Sequence, residues 1–250
     1  MNRTGKLFSL PLISGLAAFA LVDSANATYS IVAADQKTQQ LGGAGTSCVG
    51  SLSVRIIYGV AIGHGAVHAQ ATLNIPARDR AVLRLSEDVD PIDIIAEITS
   101  DEFDPIAALR QYGIVDLSGR SAGFTGDRDT PYAEDRQGTA DPFLYSVQGN
   151  ILTSVGVIDR AEAAFQSLGC DLADKLMLAL EAGAENGEGD SRCTPRGVPS
   201  DSAFIEVDPV DQPEGTFLRL EVTNTGSVNP LVLLRDMFDE WRADHPCPPA

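Results

Sequence analysis

The residue with the clearest chemical potential is Thr28, which directly follows the triplet Ala25-Asn26-Ala27. Signal peptidase cuts after small-x-small triplets, and a cut here makes Thr28 the first residue of the mature chain. A threonine hydroxyl needs a base to remove its proton before it can attack. The α-amine of an N-terminal residue, whose ordinary pKa is about 7.7 to 8.0, can be that base. The sequence therefore predicts a nucleophile and its base on one residue.

Residues 1–27 have the composition of a secretory signal peptide. Arg3 and Lys6 supply the positive start, and residues 7–22 form an apolar run interrupted by Ser, Pro and Gly. An uncleaved membrane anchor is the alternative, but it needs about 20 apolar residues, and this run is shorter. A second small-x-small triplet at residues 18–20 is the less favoured cut. We predict an exported protein, periplasmic or extracellular, with no membrane segment after cleavage.

The charge of the chain limits its partners. Among 250 residues, 35 are Asp or Glu and 18 are Lys or Arg, which gives a formal net charge of −17. Such a surface repels phosphate backbones, so we expect no nucleic-acid partner. An acidic surface that keeps an exported protein in solution is the simpler interpretation, and attraction of a cationic partner is the alternative. The sequence leaves self-association into a homo-oligomer open.

Four cysteines follow the leader: Cys48, Cys170, Cys193 and Cys247. An even number in an exported chain predicts two disulfides, with three possible pairings. Cys170 begins a predicted helix and Cys193 follows the loop after it, which favours Cys170 with Cys193 and leaves Cys48 with Cys247. The spacing is not that of a zinc site, so we expect no structural metal. We also expect no cofactor.

The elements that must position Thr28 follow the order strands, helices, strands, helices, strands, helix along the chain. Strands are predicted over residues 28–36, 41–47, within 58–71, and over 112–117, 120–125, 145–152, 203–207 and 217–223. Helices are predicted over residues 75–85, 91–99, 155–167, 172–182 and from 230 onward. Residues 126–141 read as an acidic surface loop.

Polar residues interrupt two of these strands. Gln148 and Asn150 stand where a buried strand would carry apolar side chains, and buried amides need partners. They either satisfy backbone groups at a bend or line a site as donors. His64 and His68 are four residues apart, but glycines between them disfavour a helix and hence a metal pair. A structural or site-lining role is the better interpretation for His68.

Six segments in order along the chain resemble one bacterial family. They are TYSIVA (28–33), GAVHAQ (65–70), YGIVD (112–116), FTG (124–126), SVQGNIL (146–152), and EAG (181–183) with GD (189–190). Together they look like the bacterial domain-of-unknown-function family 1028, which is placed in the N-terminal-nucleophile hydrolase superfamily. In cytoplasmic members of that family the threonine follows the initiator methionine.

The resemblance implies a fold, a site and an activity. The fold would be an α+β, four-layer αββα sandwich of two antiparallel sheets, with residues 28–250 as a single domain. Gln70, Gln148 and Asn150 would join Thr28 in the catalytic site, and His68 and Asp190 would contribute to substrate binding. The expected activity is hydrolysis of an amide in a small molecule or peptide. The alternative is a non-catalytic exported binding or structural protein of the same fold.

Overall fold

Two antiparallel sheets form the centre of the computed structural model, which describes residues 28–167, 169–209 and 217–247. The predicted signal peptide, residues 1–27, lies outside the described residues. The strands are β1 (Thr28–Asp35), β2 (Gln40–Ser47), β3 (Tyr58–Ala61), β4 (Gly65–Ala71), β5 (Arg110–Asp116), β6 (Ser121–Thr125), β7 (Glu134–Ala140), β8 (Phe143–Asn150), β9 (Ser202–Pro209) and β10 (Leu218–Val222). The helices are α1 (Ile75–Ser86), α2 (Pro91–Ile98), α3 (Gly156–Ser167), α4 (Leu172–Gly183) and α5 (Pro230–Asp244).

The sheets stack face to face between two helical layers. The larger sheet has the strand order β10-β9-β2-β1-β8-β7, and the smaller has the order β3-β4-β5-β6. Helices α1 and α2 pack on the smaller sheet, while α3, α4 and α5 pack on the larger one. β1 and β2 also contact β4 in the opposite sheet. The predicted four-layer αββα sandwich is confirmed.

The alternation of β1 decides where Thr28 points. Tyr29 and Ile31 belong to the core under α3 and α4, and Val32 belongs to the core between the sheets. Because successive side chains of a strand point to opposite faces, Thr28 and Ser30 share the inner face with Val32. The first residue of β1 therefore presents its side chain to the layer between the sheets.

Local sequence signals start several helices as expected. The side chains of Asn74, Asp90, Asp171 and Asn229 each accept a backbone N–H bond in the first turn of α1, α2, α4 and α5. Proline stands in the first two positions of α1, α2 and α5, where its missing N–H costs nothing.

Two element predictions were wrong. The segment 58–71 holds two strands, because residues 62–64 turn with Gly63 at a φ of 80° and the His64 N–H bonded to the Ala61 carbonyl at 2.9 Å. The predicted surface loop 126–141 contains β7, which pairs with β8 along its full length. β7 lies at the edge of its sheet and is polar, so it lacked the apolar alternation of a half-buried strand.

The predicted disulfide pairing was also wrong. The structure joins Cys48 to Cys193 and Cys170 to Cys247. Cys193 reaches Cys48 because its loop folds back on the end of β2, where Asp190 Oδ2 accepts the Cys48 N–H at 2.6 Å. Cys247 reaches Cys170 because α5 returns along α4, and Arg242 pairs with Asp171 at 2.7 Å. Proximity along the chain was a poor guide to proximity in the fold.

The two disulfides indicate an oxidising location outside the cytoplasm. Among the described residues, no helix is both long enough and apolar enough to cross a membrane.

Candidate functional site

Thr28 lies at the end of a central strand with a neighbour on each side. Its register partners are Ser47 on β2 and Asn150 on β8. The Thr28 hydroxyl donates to the Ser47 hydroxyl at 3.2 Å. Residues directly opposite in an antiparallel pair have Cβ atoms about 4.5–5.5 Å apart, which places Asn150 next to Thr28 on the inner face. Only 1% of Thr28 is exposed.

The opposite sheet reaches Thr28 through Gln70, near the end of β4. The Gln70 side-chain amide donates to the Thr28 carbonyl at 3.3 Å and to Gln111 Oε1 at 2.8 Å. Gln111 Oε1 also accepts from Asn150 Nδ2 at 3.1 Å. Gln70 and Asn150, which come from different sheets, are thus held by one acceptor beside Thr28.

Gln111 was missed by the sequence analysis. The predicted strand began one residue later, although Gln111, Gly113 and Val115 keep the inward alternation of β5. Its amide nitrogen donates to the Gly149 carbonyl at 2.8 Å and to Thr125 Oγ1 at 2.9 Å. Gln111 stands two residues before Gly113, so strand alternation puts both on the same face, and this spacing was the signal available in the sequence.

A second polar cluster lies one step further along β1. The Ser30 hydroxyl donates to Gln70 Oε1 at 2.6 Å and accepts from Gln148 Nε2 at 2.7 Å. Ser146 donates to Gln148 Oε1 at 2.8 Å. All four side chains are at most 1% exposed. Gln148 therefore supports Ser30, the next inward-facing residue after Thr28 on β1.

His68 completes this cluster in a neutral form. Its Nδ1 lies 2.9 Å from the Ser30 oxygen. Gln148 Nε2 lies 3.2 Å from the same ring nitrogen, so His68 Nδ1 is in contact with both Ser30 and Gln148. Burial lowers the pKa of His68 to about 3. Its Nε2 has no hydrogen-bond partner among the described residues and packs against Gly43 and the Tyr58 ring.

Backbone strain marks both strands that end at the site. Ala71 follows Gln70 with a φ of 67°, and Ile151 follows Asn150 with a φ of 52°. Left-handed conformations are uncommon for residues other than glycine and are outliers for β-branched ones. Such strain concentrates at functional sites, where the surrounding structure enforces it.

Asp190 is fully buried at the same end of the sheet. Its carboxylate accepts the Cys48 N–H and pairs with Arg192 Nη2 at 2.8 Å. Its backbone forms a bridge with Leu152. Because Cys48 and Leu152 follow close behind the two register partners of Thr28, Asp190 ties both flanks of the site together.

Asp129 is a second carboxyl group near this end and was assigned to a surface loop. Burial raises the pKa of Asp129 to about 6. Its Oδ2 is buried and has no partner among the described residues. The next residue, Thr130, accepts the Ile151 N–H at 2.9 Å, which anchors the loop beside Asn150. The acidic composition of the loop gave no sign of this burial.

Two groups of side chains within the described ranges have metal-like spacing. They are Cys48 and Cys193 with Asp201, and Cys170 and Cys247 with Asp174. Each contains a disulfide, so its sulfur atoms are not thiolate ligands.

The fold and the site define an αββα sandwich whose central strand begins at a buried threonine surrounded by amides. Residues 28–231 match the family model of DUF1028, a family of unknown function. The chain belongs to this family. The crystal structure of protein SPO2555 from Silicibacter pomeroyi, from the same family, is similar, with a TM-score of 0.71 and 23% identity over 86% of each chain. That likeness supports the fold, and no curated protein matches the chain.

Proposed function

We propose that this chain is an exported amidohydrolase whose nucleophile is the Thr28 hydroxyl and whose base is the Thr28 α-amine. The observation that carries the proposal is the position of Thr28. It is both the residue after the predicted cleavage site and the first residue of a central strand. Asn150 is its partner on β8, and Gln70 of the other sheet donates to its carbonyl. In the uncut chain the Thr28 nitrogen belongs to a peptide bond, so cleavage by signal peptidase creates the base.

The reaction follows from these groups. The free α-amine takes the hydroxyl proton while Oγ1 attacks the carbonyl carbon of the substrate amide, forming a tetrahedral oxyanion. The intermediate collapses to an ester on Thr28, and the leaving amine takes the proton from the α-ammonium group. Water then attacks the ester with the α-amine as base, which releases the carboxylic acid and restores Thr28.

Asn150 is the donor that we assign to the oxyanion. Among the described residues its side-chain nitrogen makes one hydrogen bond, to Gln111, so a second N–H remains to be directed at the substrate. Gln70 holds the Thr28 carbonyl and thereby positions the nucleophile. Removing an oxyanion donor typically slows the reaction about 100- to 1000-fold.

A non-catalytic exported binding or structural protein is the second candidate. Thr28 is 1% exposed, and the Gln70 side chain forms hydrogen bonds with Ser30, Gln111 and the Thr28 carbonyl. A polar layer satisfied in this way can serve stability alone, because buried polar groups need partners in any fold.

Labelling of the exported protein separates the two candidates. The mature N-terminus is first determined by intact mass, and a chain that begins at any residue other than Thr28 overturns the enzyme proposal. The mature protein is then treated with a β-lactone, which acylates an activated threonine hydroxyl. We expect one label on the wild type and on Thr28→Ser, and none on Thr28→Ala. Absence of label on the folded wild type supports the non-catalytic candidate.

A further inference from the structure

A pocket lined by aliphatic side chains opens directly beside Thr28. Its walls include Thr28 and Gln70, and the other described residues that line it are apolar. The larger apolar side chains are Val49, Leu52, Val54, Ile56, Ile57 and Leu73. None of the described lining residues is charged. The residue proposed as nucleophile is therefore part of an apolar wall.

The segment that forms most of this wall is held firmly. Residues 49–57 connect β2 to β3, and the Asp201 carboxylate accepts the Val49 and Gly50 N–H groups at 2.8 and 3.0 Å. The Val54 N–H donates to Ser202 Oγ at 3.1 Å. The disulfide from Cys48 to Cys193 fixes the start of the segment. The pocket is thus built into the fold.

The pocket is narrow. It is a partly open groove with about 250 Å³ of empty space when the solvent at its mouth is included, so a short chain can lie along it but a bulky group cannot. Leu52 stands at the rim with 39% of its surface exposed. A charged group would lose its hydration here without gaining a partner, whereas a short hydrocarbon group gains from leaving water.

We propose that this pocket receives the group attached to the carbonyl carbon of the substrate, so the substrates are amides of short aliphatic acyl groups or of residues with short aliphatic side chains. The inference rests on the proposed function of Thr28. The acyl carbon becomes bonded to Thr28 Oγ1, so the group it carries lies against the wall that contains Thr28. The amine leaves the site in the first half of the reaction.

Binding tests the pocket independently of hydrolysis. The mature Thr28→Ala protein is titrated with acetamide, propionamide, butyramide and succinamate, and binding is followed by NMR shifts of the Val, Leu and Ile methyl groups. We expect affinity to rise up to about fourfold per added methylene until the pocket is full, and succinamate to bind more weakly than butyramide. Equal affinity for all four, or preference for succinamate, overturns the inference.

Hydrolysis of acyl-p-nitroanilides by the wild type provides the second arm. We expect kcat/KM to rise from acetyl to butyryl and to fall for succinyl. Leu52→Ala removes a rim side chain and should shift the best acyl group to a longer one. Leu83→Ala is the matched control, since Leu83 is 50% exposed on α1 outside the pocket, and it should leave the preference unchanged.

The binding and hydrolysis experiments distinguish the pocket proposal from the hydrolase proposal. Aliphatic amides that bind with the expected chain-length dependence, without any turnover, support the pocket and contradict the hydrolase. Turnover that ignores the acyl group, or follows the amine portion, supports the hydrolase and overturns the pocket assignment.

Discussion

His68 Nδ1 lies 2.9 Å from the Ser30 oxygen, so a side chain of β4 and a side chain of β1 meet across the two sheets. The contact is completely buried, and it lies one inward position from Thr28 on β1.

Acidification should destabilise the folded protein through His68. Because burial lowers the pKa of folded His68 to about 3 against about 6.5 when unfolded, the unfolded chain binds a proton first as pH falls. This stability is present above pH 6.5 and is lost on acidification. Between pH 7 and 4 the wild type should lose on the order of 3 kcal/mol more unfolding free energy than His68→Gln, as measured by urea unfolding. Equal losses would contradict the neutral buried form.

The His68 ring leaves no room for a side chain at Gly43. A Cβ on Gly43 would lie 2.5 Å from His68 Nε2 and 2.7 Å from a Tyr58 ring carbon. Gly43→Ala should therefore cost about 1–3 kcal/mol in unfolding free energy. Gly45→Ala is the matched control on the same face of β2, where the nearest atom is 3.0 Å away on the Phe204 ring. If the two variants are equally stable, His68 is not packed against Gly43.

Strain at the end of β4 predicts an unusual response to glycine. Ala69 and Ala71 are both fully buried in β4, but only Ala71 has a left-handed φ, of 67°. Ala69→Gly should destabilise by about 0.5–1 kcal/mol or more. Ala71→Gly relieves strain of about 1–2 kcal/mol and should be neutral or stabilising by comparison. Thermal unfolding measures both, and the same loss in each would show that Ala71 is unstrained.

Asp208 should make stability depend on pH in the opposite direction to His68. Burial and the nearby charge of Glu206 raise the pKa of Asp208 to about 6. Its contribution is complete below the unfolded pKa near 3.8 and is lost as pH rises through about 6. Asp208→Asn keeps an acceptor for the Tyr58 hydroxyl, which is 3.0 Å away. We expect the variant to gain about 1–3 kcal/mol relative to the wild type between pH 4 and pH 7.

The check for Asp208 is urea unfolding of both proteins at the two pH values. An unchanged difference between them would mean that this carboxyl group titrates normally in the folded protein.

The disulfide pairing gives a direct chemical prediction. Peptide mapping without reduction should recover Cys48 linked to Cys193 and Cys170 linked to Cys247. Replacing Cys48 and Cys193 together with serine should lower the unfolding free energy by about 2–5 kcal/mol, since the link closes 145 residues of chain. A peptide joining Cys170 to Cys193 would overturn the pairing.

The sequence was sufficient for elements with strong local signals. The helix predicted over residues 91–99 agrees with α2, whose first turn is capped by Asp90, and the strands predicted over 112–117 and 120–125 agree with β5 and β6 to within two residues. It was insufficient where the outcome depended on distant contacts. β7 is defined by its pairing with β8, and Cys193 lies beside Cys48 because the loop of Asp190 packs against the end of β2.

The candidate site shows the same division. Gln148 and Asn150 stood out as amides in a buried strand, and the structure gives both of them partners. Gln111 and Asp129 did not stand out. The importance of Gln111 comes from accepting hydrogen bonds from two strands, and that of Asp129 from the burial of its Oδ2 atom, and neither is a property of local sequence.

The register of β1 has a practical consequence for protein engineering. Each of the eight residues from Thr28 to Asp35 pairs with both β2 and β8, so the described strand is held by two neighbours from its first residue onward. If residues 1–27 are removed as we propose, we expect them to be replaceable by another removable segment. Cleavage of a different export signal or of a removable fusion tag should give the same folded domain, provided that Thr28 becomes the N-terminal residue.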